Sequence, residues 1–261
     1  MKLDREKYTS HIKDNEILFE MRKLLDKIEM VLNRHTIEST DFCDPYEIYL
    51  SRSILNRIDD IKYLEDGGTN EAERRVITIF PEYFNEETID SGITALQIKG
   101  SLEGLSHKDY LGALLNLGIK RSKIGDIYVH DKGTQMLLKD EICNFIIFNL
   151  KKVSNKNVDV SEIDIKEISI EEPSFKEVKV FLSSLRVDVV ISAAYNLSRV
   201  ESMNIIKTGN IKVNWEPIEK PSLELKEGDT VSIRGYGRLI LHSTEGISKK
   251  GRIKSTIRIL I

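Results

Sequence analysis

The stretch that decides the fold is LRVDVVISAAYNLSRVESMNIIKTGNIKVNW, residues 185–215. Ser198, followed three residues later by Glu201, is typical of a helix start, because the serine oxygen and the glutamate carboxylate bind backbone N–H groups that lack a helical partner there. Gly209 suits the left-handed residue with which such a helix ends. Three apolar residues between them fall on one helical face: Val200, Met203 and Ile206. The pattern therefore predicts a short amphipathic helix.

A second helix and a strand flank this helix. Residues from about 186 to 194 are predicted to form the preceding helix, and Tyr195 and Asn196 the short turn between the two. After Gly209, apolar and polar residues alternate over 211–215, as they do in a half-buried strand. The stretch thus predicts a helix–turn–helix–strand unit.

This unit resembles the S4 RNA-binding domain. The residues that carry the resemblance follow that family's order and spacing: Arg186, Asp188, Ser198-Arg199, Ile205-Ile206, Gly209, Ile211-Lys212-Val213-Asn214, Pro221-Ser222 and Gly228-Asp229. The family usually has glycine where Asn196 and Trp215 stand here. Asparagine tolerates the left-handed region almost as well as glycine, whereas Trp215 either alters the strand edge or adds a stacking surface.

The resemblance implies which residues of the unit contact RNA: Arg186, Ser198, Arg199, Lys207 and Lys212. Ser198 and Arg199 lie at a predicted helix N-terminus, where backbone donors favour phosphate, and a guanidinium can bind phosphate through two hydrogen bonds. Ser198 can be both a helix cap and a contact. Lys207 lies in the last turn, where a cation is favourable in any case.

The C-terminal part of the chain is rich in cations. From residue 175 onward there are 15 Lys and Arg against nine Asp and Glu, a net charge of +6, whereas the preceding 174 residues carry a net charge of −9. Strands are predicted over 223–229 and 230–241, followed by a flexible basic extension around 249–254. Further phosphate contacts are expected from Arg234, Arg238, Lys249, Lys250 and Arg252.

Composition limits the other possibilities. The chain of 261 residues has 40% hydrophobic and 31% charged residues, as ordinary soluble proteins do, and can hold two or three small domains. No run approaches the roughly 18 apolar residues of a membrane span, and the N-terminus lacks the apolar core of a secretory signal, so we expect a cytoplasmic protein. Cys43 and Cys143 are expected to be small buried hydrophobes, and the five histidines are scattered, so neither a metal nor a cofactor is predicted.

Residues 1–75 are predicted to form a helical N-terminal domain. Apolar residues at helical spacing indicate a helix within 10–35, and Asp44-Pro45-Tyr46-Glu47 begins another. The second helix is expected to bury Tyr49 among other residues and to stop near Gly67-Gly68. The domain is either a packing unit or a docking surface for a protein partner.

Residues 76–172 are predicted to form an α+β domain. Strands are expected at 76–80, 93–98, 126–131, 134–138 and 161–168, with helices over 110–117 and 141–153 and a hairpin turn at Lys132-Gly133. Strands alternating with two helices suggest a ferredoxin-like sandwich, the architecture of RNA-recognition modules. With the helical N-terminal domain and the S4 domain at 175–261, the predicted fold class of the chain is α+β.

Three segments resemble the YlmH family, whose members carry a C-terminal S4 domain. They are TDFCDPYE (40–47), HKDYLGALLNLGIKRSKIGDI (107–127) and KKGRIK (249–254). The resemblance implies a ribosome-associated protein that binds structured RNA (rRNA or tRNA) on the large ribosomal subunit, in ribosome quality control or translation. The association of the family's genes with cell division makes an interaction protein of cell division the alternative.

The second of these segments holds a short basic cluster, formed by Lys120, Arg121 and Lys123 in an otherwise acidic region. It is either a solvated loop that balances local acid and the helix C-terminus, or a second phosphate contact beside the S4 domain. His107, at the start of the preceding helix, either caps that helix or contacts RNA.

S4 domains also occur on RNA-modifying enzymes, which makes catalysis an alternative. The chain has no glycine-rich loop for a methyl donor or nucleotide and no convincing nucleophile–base set. Leu185-Arg186-Val187-Asp188 resembles the Arg-Leu-Asp motif of pseudouridine synthases, but it lies inside the predicted S4 helix, where Asp188 is expected either to hold Arg186 in place or to form a local cap. We therefore expect a binding protein without catalytic residues, with an S4-linked RNA-modifying enzyme as the alternative.

Overall fold

The computed structural model describes residues 2–100, 102–131 and 133–261. The chain forms two compact units, Met1–Glu171 and Glu172–Ile261. Each unit has its own sheets and its own apolar cores.

The first unit begins with helices packed on a small sheet. The helices are α1 (Arg5–Thr9), α2 (Asn15–Arg34) and α3 (Pro45–Leu55), and the strands are β1 (Glu38–Ser39), β2 (Ile61–Asp66) and β3 (Val76–Pro81). The sheet is antiparallel in the order β1-β3-β2. The α2 face predicted to be apolar is buried at Ile17, Met21, Leu24, Leu25, Ile28 and Val31.

The predicted start of α3 is confirmed, and its predicted end is wrong. The Asp44 carboxylate accepts hydrogen bonds from the backbone of Tyr46 and Glu47, and the Glu47 side chain closes the capping box. The helix ends at Leu55, and Tyr49 is 65% exposed rather than buried. Residues 61–66 continue the helical spacing of apolar residues, but they pair with β3. The region predicted to be helical therefore also contains a sheet.

The central part of the first unit is an antiparallel sheet covered by two helices. Its strands are β4 (Ile93–Gly100), β5 (Ile124–His130), β6 (Gly133–Lys139), β7 (Lys152–Val153) and β8 (Lys156–Ile163), and its helices are α4 (His107–Asn116) and α5 (Asp140–Asn149). The strand order is β5-β6-β4-β8-β7. Without the short β7, the β-α-β-β-α-β succession and this order are those of the predicted ferredoxin-like fold.

Several predicted elements of this region are displaced. The strand predicted at 76–80 forms, but it pairs with β1 and β2 and not with the central sheet. The helix predicted over 141–153 stops at residue 149, and the strand predicted over 161–168 stops at 163 and is followed by a 3₁₀ turn at Ile165–Glu167. Lys132 of the predicted hairpin turn lies outside the described residues, and His130 pairs with Gly133 across it.

The two faces of the central sheet are both covered. One face packs on α4 and α5 through Tyr110, Leu114 and Ile146. The other face, with Ala95 and Leu137, packs against residues from outside the sheet: Phe42, Val76, Ile165 and Ile168. The Phe42 ring lies so close to Gly125 that an added Cβ there would come within 2.7 Å of it. Limited proteolysis tests the prediction that 1–75 and 76–172 fold as separate domains.

The second unit is a six-stranded antiparallel sheet with two helices on one face. The strands are β9 (Phe175–Leu182), β10 (Ile211–Val213), β11 (Glu216–Pro217), β12 (Thr230–Ile233), β13 (Gly237–Ile247) and β14 (Ile253–Leu260), and the helices are α6 (Val187–Tyr195) and α7 (Arg199–Lys207). The order is β11-β10-β12-β13-β14-β9. Its core joins both helices to the sheet through Val190, Ile191, Ile206, Ile211, Val231 and Leu239.

The helical part of the unit forms as predicted, except that Val200, predicted to share the apolar face of α7, is 68% exposed. Asn196 ends α6 in the left-handed region with φ 53°. Ser198 and Glu201 form the capping box of α7, and Gly209 follows with φ 69°. The α+β fold class is confirmed.

The strands of the unit differ from prediction at three places. The strand predicted over 211–215 ends at Val213, because Asn214 and Trp215 have φ 48° and 66° and turn the chain into β11. Residues 223–229 contain only an isolated bridge, and 230–241 is two strands separated by a turn. The third difference is at the C-terminus: the basic segment predicted to be flexible around 249–254 is a turn whose last two residues begin β14, and β14 pairs with β13 and with the unpredicted β9.

Candidate nucleic-acid interface

Asp188 fixes the position of Arg186. Arg186 Nε and Nη2 donate to the two Asp188 carboxylate oxygens at 3.0 and 2.9 Å. The Asp188 side chain is fully buried, whereas that of Arg186 is 33% exposed. This pair raises the pKa of Arg186 above its ordinary value. The prediction that Asp188 holds Arg186 is confirmed, and the guanidinium is held from its buried side with its outer edge towards solvent.

Arg199 is the first residue of α7. Ser198 accepts a hydrogen bond from Glu201 N at 3.2 Å, and Glu201 accepts one from Ser198 N at 2.8 Å. The Ser198 hydroxyl beside the Glu201 carboxylate, and the hydrogen bond that the carboxylate accepts from Ser198 N, hold the pKa of Glu201 below its ordinary value. Arg199 itself is exposed. Its guanidinium therefore extends from a rigid, capped helix start that favours anions.

The structure brings three of the predicted arginines together. Arg186, Arg199 and Arg252 line one open cleft of about 390 Å³, which we call the arginine cleft. The lining also includes three serines, Ser183, Ser184 and Ser192. The one carboxylate among the lining residues is that of Asp188, which is already paired with Arg186. Three guanidinium groups over one concave surface suit phosphate groups of a nucleic acid.

Arg252 reaches the cleft from the turn between β13 and β14. Its backbone closes this turn, because Arg252 N donates to Ser248 Oγ at 3.1 Å and Ser248 N donates to Arg252 O at 2.7 Å. Lys249 and Lys250 lie on the same turn and are exposed, whereas Lys254 forms an ion pair with Glu245. The basic segment 249–252 is thus an ordered rim beside the cleft.

Other predicted contacts lie elsewhere on the unit. Ile211, Val213, Val231, Ile233 and Leu239 point into the core beneath the helices, so the alternating residues Lys212, Ser232 and Arg238 point to the opposite side, the outer sheet face. These three residues are register neighbours across β10, β12 and β13. Lys207 and Arg234 are exposed near the end of α7, where Arg234 N donates to Asn210 O at 2.9 Å.

The basic cluster of the first unit is largely engaged by the chain itself. Lys123 Nζ binds the Asp41 carboxylate at 2.5 Å and also pairs with Glu141. Arg121 Nη1 donates to the carbonyls of Ile124 and Gly125 at 2.5 and 3.3 Å. Lys120 is exposed, and His107 is the first residue of α4, whose N-cap is Ser106.

The pKa shifts of the cluster follow from these contacts. Burial, reinforced by the nearby Arg74 guanidinium, lowers the pKa of Arg121 to about 10. Burial alone would lower the pKa of Lys123, but its hydrogen bonds to Asp41 and Glu141 raise the pKa above the ordinary value. Both side chains remain cationic at neutral pH.

The central sheet lacks the open platform of an RNA-recognition module. Such modules stack bases on aromatic side chains of an exposed sheet face. Here the face away from α4 and α5 is covered, and Gln135 joins it to residues 165–169 by donating to Glu167 O at 2.9 Å and accepting from Ser169 N at 2.7 Å. Among the residues that pack at this covered face, the aromatic residue contributed by the sheet is Tyr128, whose hydroxyl hydrogen-bonds that of Thr69 at 3.1 Å. An RNA contact in this part of the chain would have to use another surface.

One such surface is not predicted by any pattern in the sequence. Lys108, Lys151 and Lys152 line an open cleft of about 580 Å³ along α4 and the segment that follows α5, together with Asn116 and Ser154. We call it the lysine cleft. Lys108 is more than 40 residues from the other two lysines in sequence, so no linear pattern of charge brings the three together.

No sign of redox or metal chemistry emerges in the part of the chain that the structure describes. Burial raises the pKa of Cys43 to about 12 and that of Cys143 to about 11, so both thiols stay protonated at neutral pH and are poor nucleophiles. Within the same residues, no group of three or more His, Cys, Asp and Glu could hold a metal ion. No described helix is long and apolar enough to cross a membrane.

The C-terminal unit places the protein in the class of S4-domain proteins, because residues 185–231 match the family described as S4 domain. Residues 18–84 match "YlmH, N-terminal" and residues 87–167 match "Putative RNA-binding domain in YlmH". The chain belongs to the YlmH family.

Two relatives illustrate the match. The Bacillus subtilis (strain 168) protein named ribosome-associated protein quality control protein P2 is 31% identical over 248 residues, which are 94% of this chain and 96% of that protein. The solved structure of the cell division protein ylmH from Streptococcus pneumoniae is 22% identical, covers 61% of this chain and 97% of its own, and has a TM-score of 0.53. The second likeness concerns the fold alone.

Proposed function

We propose that this protein binds structured RNA through the arginine cleft and acts on the large ribosomal subunit in ribosome-associated quality control. The observation that carries the proposal is the convergence of Arg186, Arg199 and Arg252 on one concave surface. These residues come from two helix starts and a turn. An extended, unstructured anion needs no such fixed geometry.

The chemistry of the cleft favours a folded backbone over a base sequence. The Arg186 side chain is held by two hydrogen bonds and the Arg199 backbone by a capped helix start, so the points from which the two arginines extend are set before RNA arrives. Preorganised guanidinium groups recognise a particular spacing of phosphates. Double-stranded RNA is recognised mainly through shape and backbone, and rRNA and tRNA offer such surfaces.

The ribosomal assignment is supported by the Bacillus subtilis relative, whose name places that protein in ribosome-associated quality control. With 31% identity over nearly both chains, we extend ribosome association, and with it a cytoplasmic location, to this chain. We further propose that the protein binds without chemical turnover, because the arginine cleft offers cations and hydroxyl groups and its one acid, Asp188, is buried in an ion pair.

The first experiment measures RNA affinity of the full chain by filter binding to 23S rRNA fragments and tRNA. Arg199→Ala removes a charged hydrogen-bonding group and is expected to lower affinity by about 1–3 kcal/mol. Lys176→Ala is the matched control: it also removes one exposed cation, but Lys176 lies six residues from the cleft residue Leu182 along β9, about 20 Å away. Equal losses in the two variants would reduce the effect to net charge and contradict a cleft site.

The second experiment asks where the protein sediments. Lysate expressing the wild type or Arg199→Ala is fractionated on sucrose gradients with and without prior RNase treatment. We expect co-sedimentation with large subunits that RNase and Arg199→Ala both abolish. Sedimentation with a membrane or septal fraction, insensitive to RNase, would favour the cell-division alternative. The relevant surface would then include the exposed aromatics Phe19 and Tyr49 of the N-terminal helices, 58% and 65% exposed.

The absence of turnover is tested on the RNA itself. Bound rRNA and tRNA are digested to nucleosides after long incubation with the protein and compared by mass spectrometry with RNA incubated alone. A new modified nucleoside, lost in Asp188→Asn while RNA binding is kept, would make the protein an enzyme.

A further inference from the structure

Trp215 occupies a backbone conformation that is unfavourable for a bulky side chain. It follows Asn214 in the two-residue turn between β10 and β11, where Val213 pairs with Glu216. Asn214 and Trp215 have φ 48° and 66°, the left-handed values at both central positions that a tight hairpin turn of this kind requires. Glycine and asparagine adopt these values readily, and tryptophan does not. The backbone therefore explains why S4 domains usually have glycine here and does not explain a tryptophan.

The indole ring lies over the outer sheet face. The guanidinium of Arg238 lies 5.2 Å from the Trp215 ring centroid. Arg238 is on β13, two strands inward from β10 in the sheet, about 10 Å away. For the two side chains to meet, the ring must fold back from the tip of the hairpin across the sheet. There it joins the exposed Lys212 on the face opposite the helices.

We propose that Trp215 is a stacking platform for an unpaired RNA base, with Lys212 and Arg238 binding the phosphates that flank it. This inference rests on the proposed RNA-binding function and adds a second contact surface to the arginine cleft. Strained residues persist where a functional constraint holds them. Here an aromatic ring is placed beside two cations, the combination by which proteins bind single-stranded nucleic acid.

The chemistry also limits the ligand. An aromatic ring stacks on any base that is not stacked on its neighbours, and this contact depends little on sequence. The RNA bound at the outer sheet face is therefore a loop, bulge or end, whereas the arginine cleft contacts backbone. A duplex with an adjacent unpaired segment engages both surfaces, and a blunt duplex engages the cleft alone.

The chain reports on this contact directly, because Trp215 is its one tryptophan. We expect its fluorescence to be quenched when the full-length protein is titrated with an RNA hairpin that carries an unpaired loop, and much less with a blunt duplex of the same stem. Trp215→Gly should weaken hairpin binding about 5- to 100-fold and leave duplex binding unchanged. Trp215→Phe, which keeps a ring, should retain most of the affinity.

Thermal melts separate stacking from packing. Trp215→Gly relieves the unfavourable φ, so we expect an equal or higher melting temperature together with the lower hairpin affinity. A lower melting temperature with unchanged hairpin affinity would make Trp215 a packing residue and overturn the proposal. Hairpin binding without quenching of the Trp215 fluorescence would also overturn the stacking proposal, but it would leave the proposed RNA-binding function intact. Failure of the wild type to bind either RNA would instead refute the proposed function, and the stacking site with it.

Discussion

Each unit carries a cluster of three cations, and the two clusters differ in what surrounds them. In the first unit, Lys123 lies between the carboxylates of Asp41 and Glu141, and Arg121 donates to two backbone carbonyls. In the arginine cleft of the second unit, the neighbouring acid is Asp188, which lies buried beneath Arg186. The other two arginines of the cleft, Arg199 and Arg252, are exposed.

The difference shows that cationic side chains can either stabilise the fold or form a binding site. A cation whose donors are met by acceptors of its own chain fastens segments together, as Lys123 fastens the Asp41 segment to α5. A cation held from its buried side by one acid presents its remaining donors outward. The supply of nearby acceptors, and not the number of positive charges, therefore separates a structural cluster from a candidate binding site.

The largest effect, on stability, is expected from a substitution in the apolar core beside the first cluster. Phe42 is 2% exposed and packs against the central sheet beside Gly125. Phe42→Ala should reduce the free energy of unfolding of the first unit by about 3–5 kcal/mol, because it leaves a cavity in a core that joins two segments. Far-UV circular dichroism during urea unfolding measures this loss.

The tryptophan provides the control for that experiment. Trp215 belongs to the second unit, so its fluorescence follows that unit's unfolding while circular dichroism follows both. We expect the fluorescence transition of Phe42→Ala to stay at the wild-type urea concentration. A shift of both transitions by the same amount would mean that the units unfold together.

The second prediction compares one arginine from each cluster. Arg121→Met removes the donor to the carbonyls of Ile124 and Gly125 and should cost the first unit about 1–3 kcal/mol with little change in RNA affinity. Arg199→Met should weaken RNA binding and change stability by less than about 0.5 kcal/mol, as exposed substitutions usually do. Urea unfolding and filter binding on the same preparations measure both. Reversed effects would contradict the roles assigned to the clusters.

Predictions from the sequence were reliable where the hydrogen-bond partners lie close together along the chain. The helix start at Asp44, the capping box at Ser198 and the left-handed Asn196 all form as predicted. They depend on residues three or four positions apart, so no distant partner can change them.

The errors arose where distant strands compete. Residues 61–66 fit a helix, but β3 supplies hydrogen-bond partners that make them a strand. The basic segment 249–254 was predicted to be flexible, but its end runs into β14, with which β9, some 80 residues earlier, pairs along its length. Likewise the segment 107–127 shows the cations of the first cluster and not the carboxylates, Asp41 and Glu141, that engage Lys123.

A smaller effect is expected from pH. Burial alone would raise the pKa of Asp41, but hydrogen bonds from Lys123 and Ser122 hold it below the ordinary 3.8. A carboxylate with a depressed pKa stabilises the fold above its unfolded pKa, and this contribution is lost as pH falls through the folded pKa. Asp41→Asn should therefore lower stability near neutral pH by less than about 1 kcal/mol, since its side chain is 34% exposed.

Urea unfolding in steps between about pH 7 and about pH 2 measures this contribution. The wild type and Asp41→Asn should differ at the neutral end and converge in acid. Ser122→Ala, which removes the weaker donor to the same carboxylate, should give a partial effect of the same sign. A difference that stays constant across the range would show that packing, and not the charge of Asp41, is responsible.

The smallest effect concerns the cations of the first unit that are exposed. Lys120 belongs to the predicted cluster, and Lys152 belongs to the lysine cleft; both are exposed, so neither Lys120→Gln nor Lys152→Gln should alter stability. Removing a cation that binds one phosphate should flatten the dependence of log affinity on log salt by roughly 0.7 to 0.9. If the predicted cluster binds a phosphate, Lys120→Gln flattens the slope and Lys152→Gln leaves it unchanged. The reverse result places that phosphate in the lysine cleft.

Lys249→Gln, on the rim of the arginine cleft, is the positive control for the effect of a single phosphate. A slope unchanged in both first-unit variants but lower in the control would restrict phosphate binding to the second unit, and the cations of the first unit would then serve its fold alone.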